Sequence, residues 1–118
     1  FLNYGELLIE GEIKKEIFLS TYICHPSMAN DQLSGICVTT YLADWIKSIK
    51  KRKYSYRIIF IPETIGSIVY LSKNLNQMKK NIIAGFNITC IGDNKNYSYL
   101  SSKYNKSLYV ISRGFLVS

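Results

Sequence analysis

The chain has 118 residues, enough for one domain and too few for two. Hydrophobic residues make up 47% of it, which excludes a disordered chain, and the net charge of +7 keeps nucleic acid or another anionic surface among the conceivable partners. No apolar stretch approaches a membrane span, so no membrane partner is expected. Cys24, Cys37 and Cys90 are odd in number and widely spaced. They suit buried thiols in a reduced, cytoplasmic compartment better than a disulfide framework or a zinc ribbon. The chain starts at Phe1 without a methionine and stops in an apolar segment at Ser118. It is expected to be a single α/β domain over residues 1–118, a fragment of a longer protein.

Leu7 to Glu10 reads as a short strand, closed by Gly11 and the charged turn that follows. Glu16 to Cys24 reads as a second, central strand, ended by Pro26, which has no N–H for a ladder. Asn30-Asp31 are suited to cap a helix from Gln32 to Ile49. Its apolar positions (Leu33, Cys37, Val38, Tyr41, Leu42, Trp45, Ile46 and Ile49) recur at three- and four-residue steps. The whole stripe, Trp45 included, is expected in the core, at roughly 1.5–3 kcal/mol for each large side chain before entropy. The basic run Lys47 to Lys53 reads as the solvated end of that helix, where cations favour the dipole.

Tyr56 to Ile61 is nearly continuous in β-branched and aromatic residues, as in a strand covered on both faces, and Pro62 ends it. Glu63-Thr64 opens a second helix through Leu71, with Asn74 to Asn81 expected as polar connection holding at most one helical turn. Ile82 to Ile91 is a third buried strand, stopped by Gly92-Asp93-Asn94. Tyr97 to Ser101 suits an antiparallel or edge strand, while Leu108 to Ile111 fits a strand or a helix. Alternating strands and helices predict a layered α/β domain with a mostly parallel sheet.

Each of the three long strands ends in polar residues: His25 and Asp31, then Glu63, then Asp93. Each has an ordinary structural explanation. Asp31 could cap a helix, Glu63 could favour a helix dipole, Asp93 could serve a turn, and His25 could be a satisfied core histidine. A parallel sheet would nevertheless put all four on one rim, where open α/β sheets bind ligands. Imidazole with carboxylates is ordinary zinc chemistry. Cys24 and His25 also look like a thiol–imidazole pair, but neighbours on a strand face opposite ways, which rules the pair out unless the strand breaks there. No GxSxG elbow, phosphate-binding glycine loop or dinucleotide fingerprint is present.

The blocks CHPSMANDQLSG, FIPETIGS and FNITCIGD, in that order, resemble the bacterial aminopeptidase-like domain related to the co-catalytic zinc aminopeptidases, over roughly Ile17 to Asp93. The resemblance implies a three-layer α/β/α fold with a mostly parallel, mixed sheet, here incomplete. It further implies a zinc-dependent hydrolase of N-terminal peptide or related amide bonds, with one or two zinc ions in the complete protein. By it, His25 would ligate one metal, Asp31 would bridge two, and Glu63 would be the general base or a ligand of the second. The chain departs from the pattern at three points. Thr64 follows Glu63 where relatives carry a second glutamate. Thr89 stands where relatives place an aspartate within the third strand, leaving Asp93, four residues later, as the substitute metal ligand. The chain holds one histidine, so a second histidine ligand is missing. One rival stays open, a catalytically lapsed domain that binds a ligand or protein through the same rim. A basic, tyrosine-rich nucleic-acid binder is not expected, because no recognised module motif is present. Substrate and oligomeric state are left undetermined.

Overall fold

A computed structural model of the chain describes residues 3–25, 27–95, 100–101 and 109–113, the last two groups by backbone alone. The elements are β1 (Gly5–Ile9), β2 (Ile13–Tyr22), α1 (Gly35–Ser48), β3 (Tyr54–Ile61), α2 (Ile65–Asn81), β4 (Ile82–Thr89), β5 (Leu100–Ser101) and β6 (Tyr109–Arg113). They build one mixed sheet in the order β1-β3-β2-β4-β6-β5. β2, β3, β4 and β6 run parallel, with β1 and β5 antiparallel at the two edges. The three long strands therefore lie side by side and point the same way, as the alternation of strands and helices predicts. Of the segment Tyr97–Ser101, only Leu100 and Ser101 are described, and they form the antiparallel edge strand. The stop expected at Pro26 falls outside the described residues.

Alternation along the strands splits the core in two. One cluster, Ile9, Leu19, Ile58 and Ile88, is sealed by Ala43 and Ile46 of α1. On the other face, Ile59, Ile61 and Ile82 pack with Tyr70 and Met78 of α2. Two helices on opposite faces of one sheet make three layers. Among the described residues, no helix is long and apolar enough to cross a membrane.

Three expectations are corrected. The apolar stripe of α1 does not bury as a unit, since Tyr41 and Trp45 are 82% and 60% exposed and Leu33, Cys37 and Val38 also face outward. The helix packs through small residues instead: Gly35, Thr39 and Ala43, with Ile46. A Cβ added to Gly35 would lie 2.6 Å from the Ile88 carbonyl, so the close approach of helix to strand selects a narrow face over a bulky one. Second, Asn30-Asp31 do not cap this helix. They lie in a π-type turn, Ala29–Ser34, broken at Asp31 (φ −111, ψ 81), and α1 begins only at Gly35. Third, α2 runs unbroken through Asn74 to Asn81, because Tyr70 and Met78 anchor one face while the polar residues take water.

The basic run does serve the end of α1. Arg52 donates to the carbonyls of Ile46 and Lys47, each at 3.2 Å, and to that of Ile49. Arg52 thus gathers the carbonyls at the helix end, where a helix runs out of its own donors; the Ile46 carbonyl also takes the Ile49 N–H.

A buried ionic cluster ties the sheet to α2. Arg57 reaches Glu16 through two N–H donors, at 2.6 and 3.1 Å, and also donates to Glu6. The Tyr70 hydroxyl donates to Glu6 at 2.9 Å. Glu16 and Arg57 are almost fully buried. The Glu16 carboxylate, chiefly through its hydrogen bonds, holds the guanidinium pKa well above its usual value against the opposing effect of burial.

Candidate functional site

Parallel register brings the ends of β2 and β3 together, with Tyr22 opposite Ile61. One further bond, from Ile23 N to the Ile61 carbonyl at 3.2 Å, carries the pairing just past the strand. Beyond it Cys24 and His25 leave the ladder on one side, and Pro62 and Glu63 on the other. The Glu63 backbone N–H donates to Cys24 Sγ at 3.3 Å, and the His25 Nε2 atom lies 3.9 Å from Glu63 Oε2. The Tyr22 ring meets the imidazole edge-on, 5.1 Å between centroids.

The exclusion of a Cys24–His25 pair is corrected here. β2 ends at Tyr22, two residues earlier than its composition predicts, so strand alternation no longer governs positions 24 and 25. Cys24 Sγ stands 3.5 Å from His25 Nδ1. Among the described residues, Cys24, His25 and Glu63 form a group whose possible ligand atoms all lie within 4.8 Å of one another. Thiol, imidazole and carboxylate are the donor types that zinc takes, and the group is open enough to solvent for an ion to enter. The residues present therefore fit a divalent ion of the zinc kind.

Asp31 is not in that group. Its Oδ1 accepts the Tyr22 hydroxyl, placing it one phenol away from the imidazole. Burial, reinforced by the Asp31 carboxylate that takes its proton in a hydrogen bond, pushes the Tyr22 phenol well above the usual tyrosine value and keeps it a donor. Behind it, Thr89 Oγ1 lies 2.7 Å from the Tyr22 oxygen and 2.8 Å from Gln32 Oε1, its one proton serving either. Gln32 is fully buried and also donates to the Ile88 carbonyl at 2.9 Å. Thr89, at the aspartate position of the resembled pattern, thus belongs to a neutral network that braces Tyr22.

Asp93 stands in a turn, where its carboxylate accepts the Lys95 N–H at 2.8 Å. It is not among the three residues whose ligand atoms converge. Asn30, beside Asp31, locks the same rim from another direction: its Oδ1 accepts the Gly92 N–H at 2.7 Å. Ser34 adds a contact from the Ile91 N–H at 3.1 Å.

The rim also holds the backbone outliers. Thr64 has φ 57 and ψ −78, and Cys90 has φ 50. A β-branched residue at positive φ is strained, by about 1–3 kcal/mol, and such residues concentrate at functional sites. Thr64 directly follows Glu63, so the strained turn fixes where that carboxylate leaves the strand. Beside it opens a cleft of about 380 Å³, walled by Phe18, Ile61 and Phe86, with Tyr22, Glu63 and Ser67 along its polar side.

A family model described as "Domain of unknown function (DUF4910)" matches residues 1–111. A "Putative polysaccharide biosynthesis protein with aminopeptidase-like domain" from Clostridium acetobutylicum is 50% identical over 103 residues, covering 87% of this chain and 23% of the relative. The crystal structure of a "putative peptidase" from Clostridium acetobutylicum superposes with a TM-score of 0.78 at 51% identity, covering 81% of this chain and 22% of that one. The chain thus spans less than a quarter of the length of either relative.

Proposed function

The chain belongs to the DUF4910 family, and from that membership and the geometry of the rim we propose that it forms part of a zinc-dependent, aminopeptidase-like hydrolase acting on an N-terminal peptide or related amide bond. The observation that carries the reading is the meeting of His25 and Glu63, 3.9 Å apart, across the ends of two parallel strands. His25 would hold the ion, and Asp31, which accepts the Tyr22 hydroxyl, and Asp93 would be the carboxylate candidates for a second ion in the complete protein. Bound zinc lowers the pKa of a coordinated water and polarises the scissile carbonyl.

Glu63 Oε2 receives the proton that the attacking water gives up and returns it to the departing amine. Its backbone is held between Pro62 and the strained Thr64, so the carboxylate is delivered by a rigid segment. Tyr22, fixed by Asp31 and Thr89, braces the imidazole from its edge. The neighbouring cleft suits a small peptide with an apolar side chain. Free thiols at all three cysteines are consistent with a cytoplasmic setting.

Glu63→Gln keeps the shape and removes the base, so turnover of an aminoacyl anilide by the full-length protein should fall by about 10²–10⁴-fold. Zinc content should stay constant if Glu63 acts as a base alone and drop if it also ligates. His25→Ala should lose zinc. Undiminished turnover in Glu63→Gln refutes the assignment. The neutral Thr89 network favours one rival, a lapsed domain that binds a ligand without hydrolysing it. Zinc binding with no turnover of any aminoacyl substrate would select that rival.

A further inference from the structure

The expected donor set, His25, Asp31, Glu63 and Asp93, makes no use of the thiol nearest its histidine. We propose that Cys24 is a thiolate ligand of the rim's metal ion, sharing it with His25. The inference rests on the zinc reading above and adds to it a donor outside the expected set.

Three features support this. First, sulfur at about 2.3 Å and nitrogen at about 2.0 Å on a tetrahedral ion stand about 3.5 Å apart. Cys24 Sγ and His25 Nδ1 are separated by 3.5 Å. Second, the Glu63 N–H points at the sulfur from 3.3 Å, and a backbone donor aimed at a ligand atom stabilises its negative charge. Third, Nδ1, the ring nitrogen nearest the sulfur, is the one offered to an ion, while Nε2 lies 3.9 Å from Glu63 Oε2, too far for a hydrogen bond that would already engage the ring. Cys24, His25 and Glu63 offer ligand atoms within 4.8 Å of one another, so Glu63 is close enough to join the set. The other two cysteines do not qualify. Cys37 lies on the exposed flank of α1, and Cys90 is buried 3.9 Å from the Tyr22 hydroxyl.

The chemistry of the site follows from that sulfur. Thiolate with imidazole selects zinc and cobalt over magnesium and manganese, which prefer oxygen. The site would bind a soft ion with a single histidine.

Cobalt(II) serves as the probe, added to the metal-free full-length protein. The proposal expects a thiolate-to-cobalt charge-transfer band in the near ultraviolet beside the weaker visible bands. It expects the band to vanish in Cys24→Ser, with affinity weakened by about tenfold or more, and to persist in Cys37→Ser. Visible bands with no charge-transfer band, or a band that survives Cys24→Ser, would overturn the thiolate ligand and leave the metal reading standing. No cobalt or zinc bound at equilibrium dialysis would overturn both. Should Cys24→Ser fail to fold, the wild-type protein decides. Zinc X-ray absorption must show sulfur at about 2.3 Å, and zinc must protect Cys24 from alkylation as read by peptide mass spectrometry. Absence of either result overturns the proposal.

Discussion

Replacing Arg57 with Met should be among the most damaging single changes in the sheet, and its cost can be worked from the contacts. The substitution deletes two hydrogen bonds to Glu16, one to Glu6 and a long one to the Tyr70 hydroxyl. Glu6 is partly exposed and can turn to water. Glu16 is 4% exposed, and its other hydrogen bond is a long one from Asn81 at 3.4 Å. An uncompensated buried charge of this kind costs about 3–5 kcal/mol. The companion experiment removes the charge as well. Replacing both ends of a buried pair with apolar side chains is often neutral, so Glu16→Met/Arg57→Met should recover most of the loss. Urea unfolding followed by far-ultraviolet circular dichroism gives both numbers, read from midpoint shifts at constant slope. A loss under about 1 kcal/mol for Arg57→Met, below the range for a broken buried pair, would refute the reasoning. So would a double variant less stable than the single one.

Trp45→Ala should change stability by no more than about 0.5 kcal/mol, since the indole is 60% exposed, and a loss near the 3–5 kcal/mol of a buried aromatic would restore the core reading. Burial pushes the Tyr70 hydroxyl up to about 12, with Arg57 acting in the opposite direction. Folding thus favours the protonated phenol. Its contribution is complete below an unfolded value of about 10 and is lost at about 1.4 kcal/mol per pH unit as pH rises toward the folded value. Urea stability of wild type against Tyr70→Phe over that window checks the slope, which the variant should flatten. Gly35→Ala puts a methyl against the Ile88 carbonyl at 2.6 Å and should cost about 1–3 kcal/mol in the same assay, because backbone gives way less easily than a side chain.

The parallel core was legible in the sequence because its strands carry a strong local signal. Runs such as Arg57 to Ile61 admit little but a buried strand, and Pro62 marks the end. Helix facing was not legible. Periodicity reports that Leu33, Tyr41 and Trp45 share a side, but not that the sheet would take the side of Gly35, Thr39 and Ala43, since close approach rewards small residues and an apolar stripe is read from large ones. Glu16 and Arg57 lie 41 positions apart, and nothing local foretells that two charged strand residues will meet under α2. At the site, His25 and Glu63 could be placed from strand ends alone. Cys24 could not, because its proximity to His25 depends on β2 stopping two residues early. The punctuation was present in Pro26 and in the loop after it, and weighting it more heavily would have loosened the alternation rule at position 24.

Thr64 carries a consequence for how this site can change over evolutionary time. It occupies the position where the resembled aminopeptidases carry their second glutamate, and its backbone is held at φ 57 despite a branched Cβ. An unbranched side chain sits there with less crowding than threonine, and position 64 is exposed. A carboxylate can therefore be placed at this point with no more backbone strain than the threonine already bears. What separates glutamate from threonine at this point is side-chain chemistry, since the turn imposes its strain on either.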